Sequence, residues 1–326
     1  MACPKCGPVR SATFMLILLA LFISNSLAEV PLSLAERLGY RATDRLLIVN
    51  ADDVGNAHEA NAATIDGMTR GLITSGSIMV PCPWFSEVVN YARAHPEADF
   101  GLHLTHTSEW KRYRWSPVSD VAMVPGLVDS MGYLWPEIED VYRHGTPEEA
   151  ETEARAQIEM AIRAGIDITH IDSHMGTLQY NPNYHAPYLR LAIEFGLPMR
   201  VASQSILDQF GEPHRRGRIA DAGIVFPDYL IHDLRMEDEP VDVYWKRILR
   251  SLEPGVTELY IHPAVGTTTM KRITNRWEDR AEEHRLFTDD PEVRKIIEEE
   301  AITLIGWREL RDLQRQESGD SAVGGQ

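Results

Sequence analysis

Cysteine is nearly absent, with 3 in 326 residues, and two of them, Cys3 and Cys6, stand near the start. Cys82 is left alone in the remainder, so no internal disulfide staples the fold. It is expected to be a small buried apolar residue. Positive charge is also scarce, at 32 Lys and Arg against 49 Asp and Glu. An acidic surface disfavours nucleic acid and anionic membranes and suits neutral or cationic partners. Past the N-terminal segment no apolar run approaches the roughly 20 residues that span a bilayer. There is no glycine-rich phosphate loop, no internal repeat and no long low-complexity tract. What remains is the composition of a globular domain, 44% hydrophobic and 25% charged.

The N-terminus has a pattern of its own. Lys5 and Arg10 precede an apolar run from Phe14 to Ile23, followed by Ser26-Leu27-Ala28 with small residues where a signal peptidase reads. This is the layout of a secretory signal peptide covering 1–28. Cleavage after Ala28 leaves 30 basic against 49 acidic residues, a formal charge near −19. The mature protein is expected to be secreted or periplasmic, without stable membrane insertion. The Cys-Pro-Lys-Cys spacing, which looks like half a zinc or redox site, leaves with the leader. The expected domain runs over 29–316, with a frayed polar tail over 317–326.

Along that domain, strand and helix patterns alternate. The run Arg45–Asn50 reads as a buried strand ending in Ala51-Asp52-Asp53, and Ala57–Arg70 as a helix stopped by Gly71. Strands follow at 73–80, 99–104, 168–171 and 257–261, and helices at 84–94, 148–163, 183–195, 241–252, 291–300 and 307–313. A short strand is expected at 199–202. Residues 203–238 give no clear pattern, and a long irregular connection from Thr105 to Trp135 carries Trp110, Trp115 and Trp135. Connections of that length inside a domain are often functional. Alternating strands and helices predict a mainly parallel α/β sheet. Four strand ends carry Asp52-Asp53, His103, His174 and His262, and active sites of parallel sheets gather at such ends.

These residue types suit one chemistry. A carboxylate with two imidazoles is a common three-ligand zinc set that leaves a position for water. A bound divalent ion acidifies that water and polarises a carbonyl. A further carboxylate can take a proton and a further histidine can give one. Asp52, Asp53, His103, His174 and His262 therefore suffice for metal-assisted hydrolysis of an amide or ester. Each has a structural alternative: an Asp-Asp pair can cap a helix, though Asn56 is placed to do so instead. Asp172 is placed to orient a ligand histidine from behind. His58, His106 and His185 read as rim or substrate-contact residues at best. Trp110 and Trp115 can stack on a pyranose face or fill the interior of their loop.

Five segments carry a resemblance. Asn50-Ala51-Asp52-Asp53-Val54-Gly55, Thr74–Val80, Gly101-Leu102-His103-Leu104-Thr105, Thr169–His174 and Tyr260-Ile261-His262-Pro263 are similar, in this order, to the motifs of the YdjC family, also called the ChbG/HpnK carbohydrate deacetylases. The resemblance runs from about Leu46 to about Leu313. It implies a distorted, TIM-like (β/α) barrel, an N-acetylated sugar or oligosaccharide substrate and one divalent ion; two nitrogens and a carboxylate oxygen suit Zn, with Mg or another divalent ion as the alternative. It implies Asp53, His103 and His174 as ligands, Asp52 as base and His262 as acid. The chain departs from the family pattern at Asp172-Ser173-His174-Met175, in the leader, and at Thr107-Ser108-Glu109-Trp110, which replaces a commoner short loop. The rival readings are another metal-dependent amidohydrolase or phosphoesterase, and a non-catalytic secreted sugar-binding protein. Acetate release with and without a chelator separates them.

Overall fold

The computed structural model describes residues 1, 31–231, 235–236 and 239–319. The expected leader and most of the tail lie outside the described residues. Met1–Pro31 separates from Leu32–Gln326, and the following concerns the second unit. No helix among the described residues is long and apolar enough to cross a membrane.

Aliphatic runs without polar alternation make strands buried on both faces. Among the described residues seven strands result: β1 (Arg45–Val54), β2 (Ser75–Ile78), β3 (Phe100–Leu104), β4 (Ile168–Ser173), β5 (Tyr229–Ile231), β6 (Gly255–Ile261) and β7 (Ile302–Leu304). All ladders are parallel, in the order β4-β3-β2-β1-β6-β5. β7 joins the lower half of β1, at Arg45 to Leu47, while β2 joins the upper half from Asn50. Among the described residues no ladder joins β5 to β4, so the sheet is an open, distorted (β/α) barrel wrapped by helices.

Local chemistry accounts for most boundaries. The helix Pro147–Arg163 starts at a capping box of Thr146 and Glu149 with proline in its first turn. The helix His58–Arg70 has Ala57 at its N-cap and no side-chain cap. The expected capping by Asn56 does not occur; that side chain is buried without a hydrogen-bond partner. The expected strand at 199–202 reduces to one bridge, Met199 to Ile171, with Arg200 N donating to Ile171 O at 3.0 Å. β5 and β7 are three residues each, too short to show a periodicity in the sequence. Residues 204–209 and 215–221 are short helices. The last helix runs Trp307–Glu317.

The long connection after β3 is pinned rather than loose. Thr105 N donates to Gln157 Oε1 at 2.9 Å, and Val118 N and Ser119 N donate to the buried Glu153 carboxylate, each at 2.9 Å. Both acceptors lie on the helix Pro147–Arg163, so the loop forms one face of the barrel mouth.

Candidate metal and hydrolase site

The carboxyl ends of β1, β3, β4 and β6 bring Asp52, Asp53, His103, His174 and His262 to one cavity of about 630 Å³. Adjacent residues on a regular strand point to opposite faces. Here the β1–β2 register shifts between Ala51 and Val54, and Asp53 has φ +67°. That left-handed backbone, costly for a residue with a side chain, lets both carboxylates reach the cavity.

The two aspartates have different surroundings. Asp52 Oδ1 accepts from Asn50 Nδ2 at 2.8 Å, Ser77 Oγ at 3.2 Å and Arg200 Nη2 at 2.8 Å. Its Oδ2 accepts from Arg200 Nη1 at 2.8 Å and lies 3.9 Å from His103 Nε2. Asp53 Oδ2 accepts from Arg280 Nη2 at 2.6 Å. Asp53 Oδ1 is buried without a hydrogen-bond partner, 3.6 Å from His103 Nε2 and 3.4 Å from His174 Nδ1.

That orphaned oxygen tests whether a cation fits. One ligand atom from each of Asp53, His103 and His174 lies within 4.8 Å of the others, a donor set suited to a divalent ion. Asp52, His103 and Asp172 also cluster, but Arg200 already engages both carboxylates, at 2.8 Å from Asp52 and 3.0 Å from Asp172. Asp172 Oδ2 also lacks a hydrogen bond but faces the Arg200 guanidinium, whereas Asp53 Oδ1 faces the two imidazole nitrogens.

Carboxylates back both histidines. Asp172 Oδ1 lies 2.5 Å from His103 Nδ1, leaving Nε2 toward Asp53. Glu109 Oε2 lies 3.1 Å from His174 Nε2, leaving Nδ1 toward Asp53. Burial opposes a charged imidazole, but Glu109 and Asp53 override it and push His174 up to about 10. His103 is raised against burial by Asp172 and Asp52. Burial would raise the Asp52 and Asp53 carboxyls, yet Arg200 and His103 lower the first, and Arg280 and His174 hold the second well below the usual range. For His262, burial prevails and pushes it down to about 4.

Under this layer Arg200 also donates to Glu258 Oε1, from Nε at 2.9 Å and Nη2 at 2.8 Å, and lies over the Tyr260 ring. Neither Arg200 nor Arg280 was legible as a site residue. Arg200 sits at the edge of the patternless stretch. Arg280 sits on the helix Trp277–Thr288, whose mostly charged sequence hides its apolar face.

Other expectations resolve differently. Trp110 lines the cavity though only 7% exposed, with Arg280 over its ring. Trp115 is not among the lining residues; its indole donates to Thr107 O at 2.9 Å inside the loop, the arrangement of the loop-interior alternative. His106 is buried with Nε2 on Ala150 O, and His185 is buried away from the cavity, so neither is a rim residue. His58 is exposed and pairs with Glu87.

Fold and site together define a distorted (β/α) barrel protein with an aspartate–histidine constellation at the carboxyl ends of its strands. The chain belongs to the YdjC family, whose model, described as YdjC-like protein, matches residues 46–299. It is similar to curated carbohydrate deacetylases of Enterococcus faecalis, at 30% identity covering 82% of this chain and 99% of the relative, and of Thermus thermophilus, at 30% covering 86% and 99%. A solved Enterococcus faecalis structure, described as a candidate cellobiose-phosphate cleavage protein, superposes with a TM-score of 0.72 at 28% identity over 82% of this chain and 99% of that one.

Proposed function

We propose that the protein is a metal-dependent deacetylase that hydrolyses the acetamide of N-acetylated sugars or oligosaccharides. The observation that carries this reading is the buried, partnerless Asp53 Oδ1 between two imidazole nitrogens, in a chain similar over most of its length to carbohydrate deacetylases. Asp53, His103 and His174 would hold a divalent ion, Zn²⁺ preferred, with Mg²⁺ or another ion able to replace it. Such an ion supplies Lewis-acid polarisation of the acetyl carbonyl and makes water more acidic.

The protein's own groups do the rest. Asp52 Oδ2 accepts the proton of the attacking water, since Oδ1 already takes three donors. Arg200 fixes that carboxylate by a two-point contact. The carbonyl carbon gains a bond to the water oxygen and loses its bond to nitrogen, and His262 gives the departing amine a proton. With His262 pushed down to about 4, its imidazole is neutral at rest. The proton it passes to the amine is the one Asp52 took from the water, relayed to His262 during turnover, so the water oxygen ends in acetate and its proton on the amine.

Acetate release from N-acetylglucosamine and chitooligosaccharides tests this reading. It is expected with added divalent ion and lost with a chelator. Chelator-insensitive turnover, or sugar binding with no acetate, defeats it. We also propose export directed by residues 1–28; an intact Met1 on the protein isolated from its own cells would refute that.

A further inference from the structure

The segment Thr107-Ser108-Glu109-Trp110 brings Glu109 and Trp110 to the candidate metal site. Glu109 reaches in from the long loop, its side chain 23% exposed, and places Oε2 3.1 Å from His174 Nε2. The opposite nitrogen of that ring, Nδ1, faces Asp53 Oδ1 at 3.4 Å. His103 is mounted the other way round, with Asp172 behind Nδ1 and Nε2 facing Asp53. The neighbouring Trp110 backs Arg280, the guanidinium that holds Asp53 Oδ2. One dipeptide of the loop thus supports two of the three ligands.

A ring held only at its Cβ swings about two torsions, and a neutral imidazole exists in two tautomers. A carboxylate on one nitrogen fixes both, keeping the proton there and the lone pair on the other nitrogen. We propose that Glu109 is a positioning residue that sets the tautomer and tilt of His174 so that Nδ1, not Nε2, presents to the divalent ion. The loop is then part of how this chain builds its metal centre. The inference rests on the metal reading above.

Cobalt(II) binding to the full chain, followed by calorimetry and by the visible absorption of the bound ion, tests it apart from turnover. Unmodified protein is expected to bind one Co²⁺, and His174→Ala to lose it. Glu109→Ala is expected to weaken binding by about 10–100-fold, the usual effect of removing a carboxylate behind a metal-binding histidine, and to shift the absorption bands. Glu109→Gln, which keeps an acceptor oxygen, is expected to recover much of both. Circular dichroism checks that the variants fold. Unmodified protein that binds no Co²⁺ overturns the metal reading and this proposal together. Binding by the unmodified protein that Glu109→Ala leaves unchanged in affinity and spectrum overturns the Glu109 role alone.

Discussion

Asp52 and Asp53 are adjacent, equally buried and of one residue type, yet each is bound to a different cation. Arg200 takes Asp52 at both oxygens, whereas Arg280 takes Asp53 at Oδ2 only and leaves Oδ1, the proposed ligand atom, without a hydrogen bond. Neutralising them should therefore produce different lesions. Asp52→Asn is expected to keep most metal and lose about 10²–10⁴-fold in kcat, the range of an acid–base contribution. Asp53→Asn is expected to lose metal affinity and recover activity in part at high metal concentration. Asparagine tolerates the left-handed backbone at this position, so the second variant should fold. Metal titration alongside kcat distinguishes the two, and an emptied site in Asp52→Asn with a filled one in Asp53→Asn reverses the assignment.

At the scale of elements, the legible parts were those with periodicity or an aliphatic run. β1, β3, β4 and β6 and the helices of ten residues or more that flank them match the sequence pattern to within a few residues, apart from Trp277–Thr288. Their ends carry Asp52, Asp53, His103, His174 and His262, so the five-residue set could be read without coordinates. What escaped is held by tertiary contact. Arg200 is placed by its backbone N–H on Ile171 O and by Ile171 N–H on Pro198 O, and the loop 105–135 is organised by Gln157 and Glu153 on a helix some forty residues on. No local signal reports such contacts. The loop also encloses Trp115, which is 3% exposed and bonded to Thr107 O. Trp115→Ala is expected to cost about 3–5 kcal/mol, as for other buried aromatic truncations. Denaturant melts should show that loss in the metal-free protein. A stable variant with raised KM would restore the sugar-stacking role.

For the molecule as a whole, pH acts through two opposed groups. His174, raised to about 10, carries a proton in the metal-free protein at neutral pH. Its stabilising effect is full below the unfolded value near 6.5 and is lost as pH rises through about 10. A divalent ion must displace that proton, so metal affinity should rise with pH by about one decade per unit for each proton released. Calorimetry in buffers of different ionisation enthalpy counts those protons; a pH-independent affinity would contradict the protonated His174. His262, lowered to about 4, has the opposite sign: its contribution is full above about 6.5 and is lost as pH falls through 4. The Arg200 junction has a consequence in time. Its partners lie 148 residues away at Asp52, 58 at Glu258 and 28 at Asp172, on three separate strands. Contacts of such separation close only after the strands have met. The guanidinium should therefore dock after the folding barrier is crossed and act as a latch on the finished barrel. Arg200→Met is expected to speed unfolding while leaving refolding nearly unchanged, so the residue that fixes the base would also set how long the native chain persists.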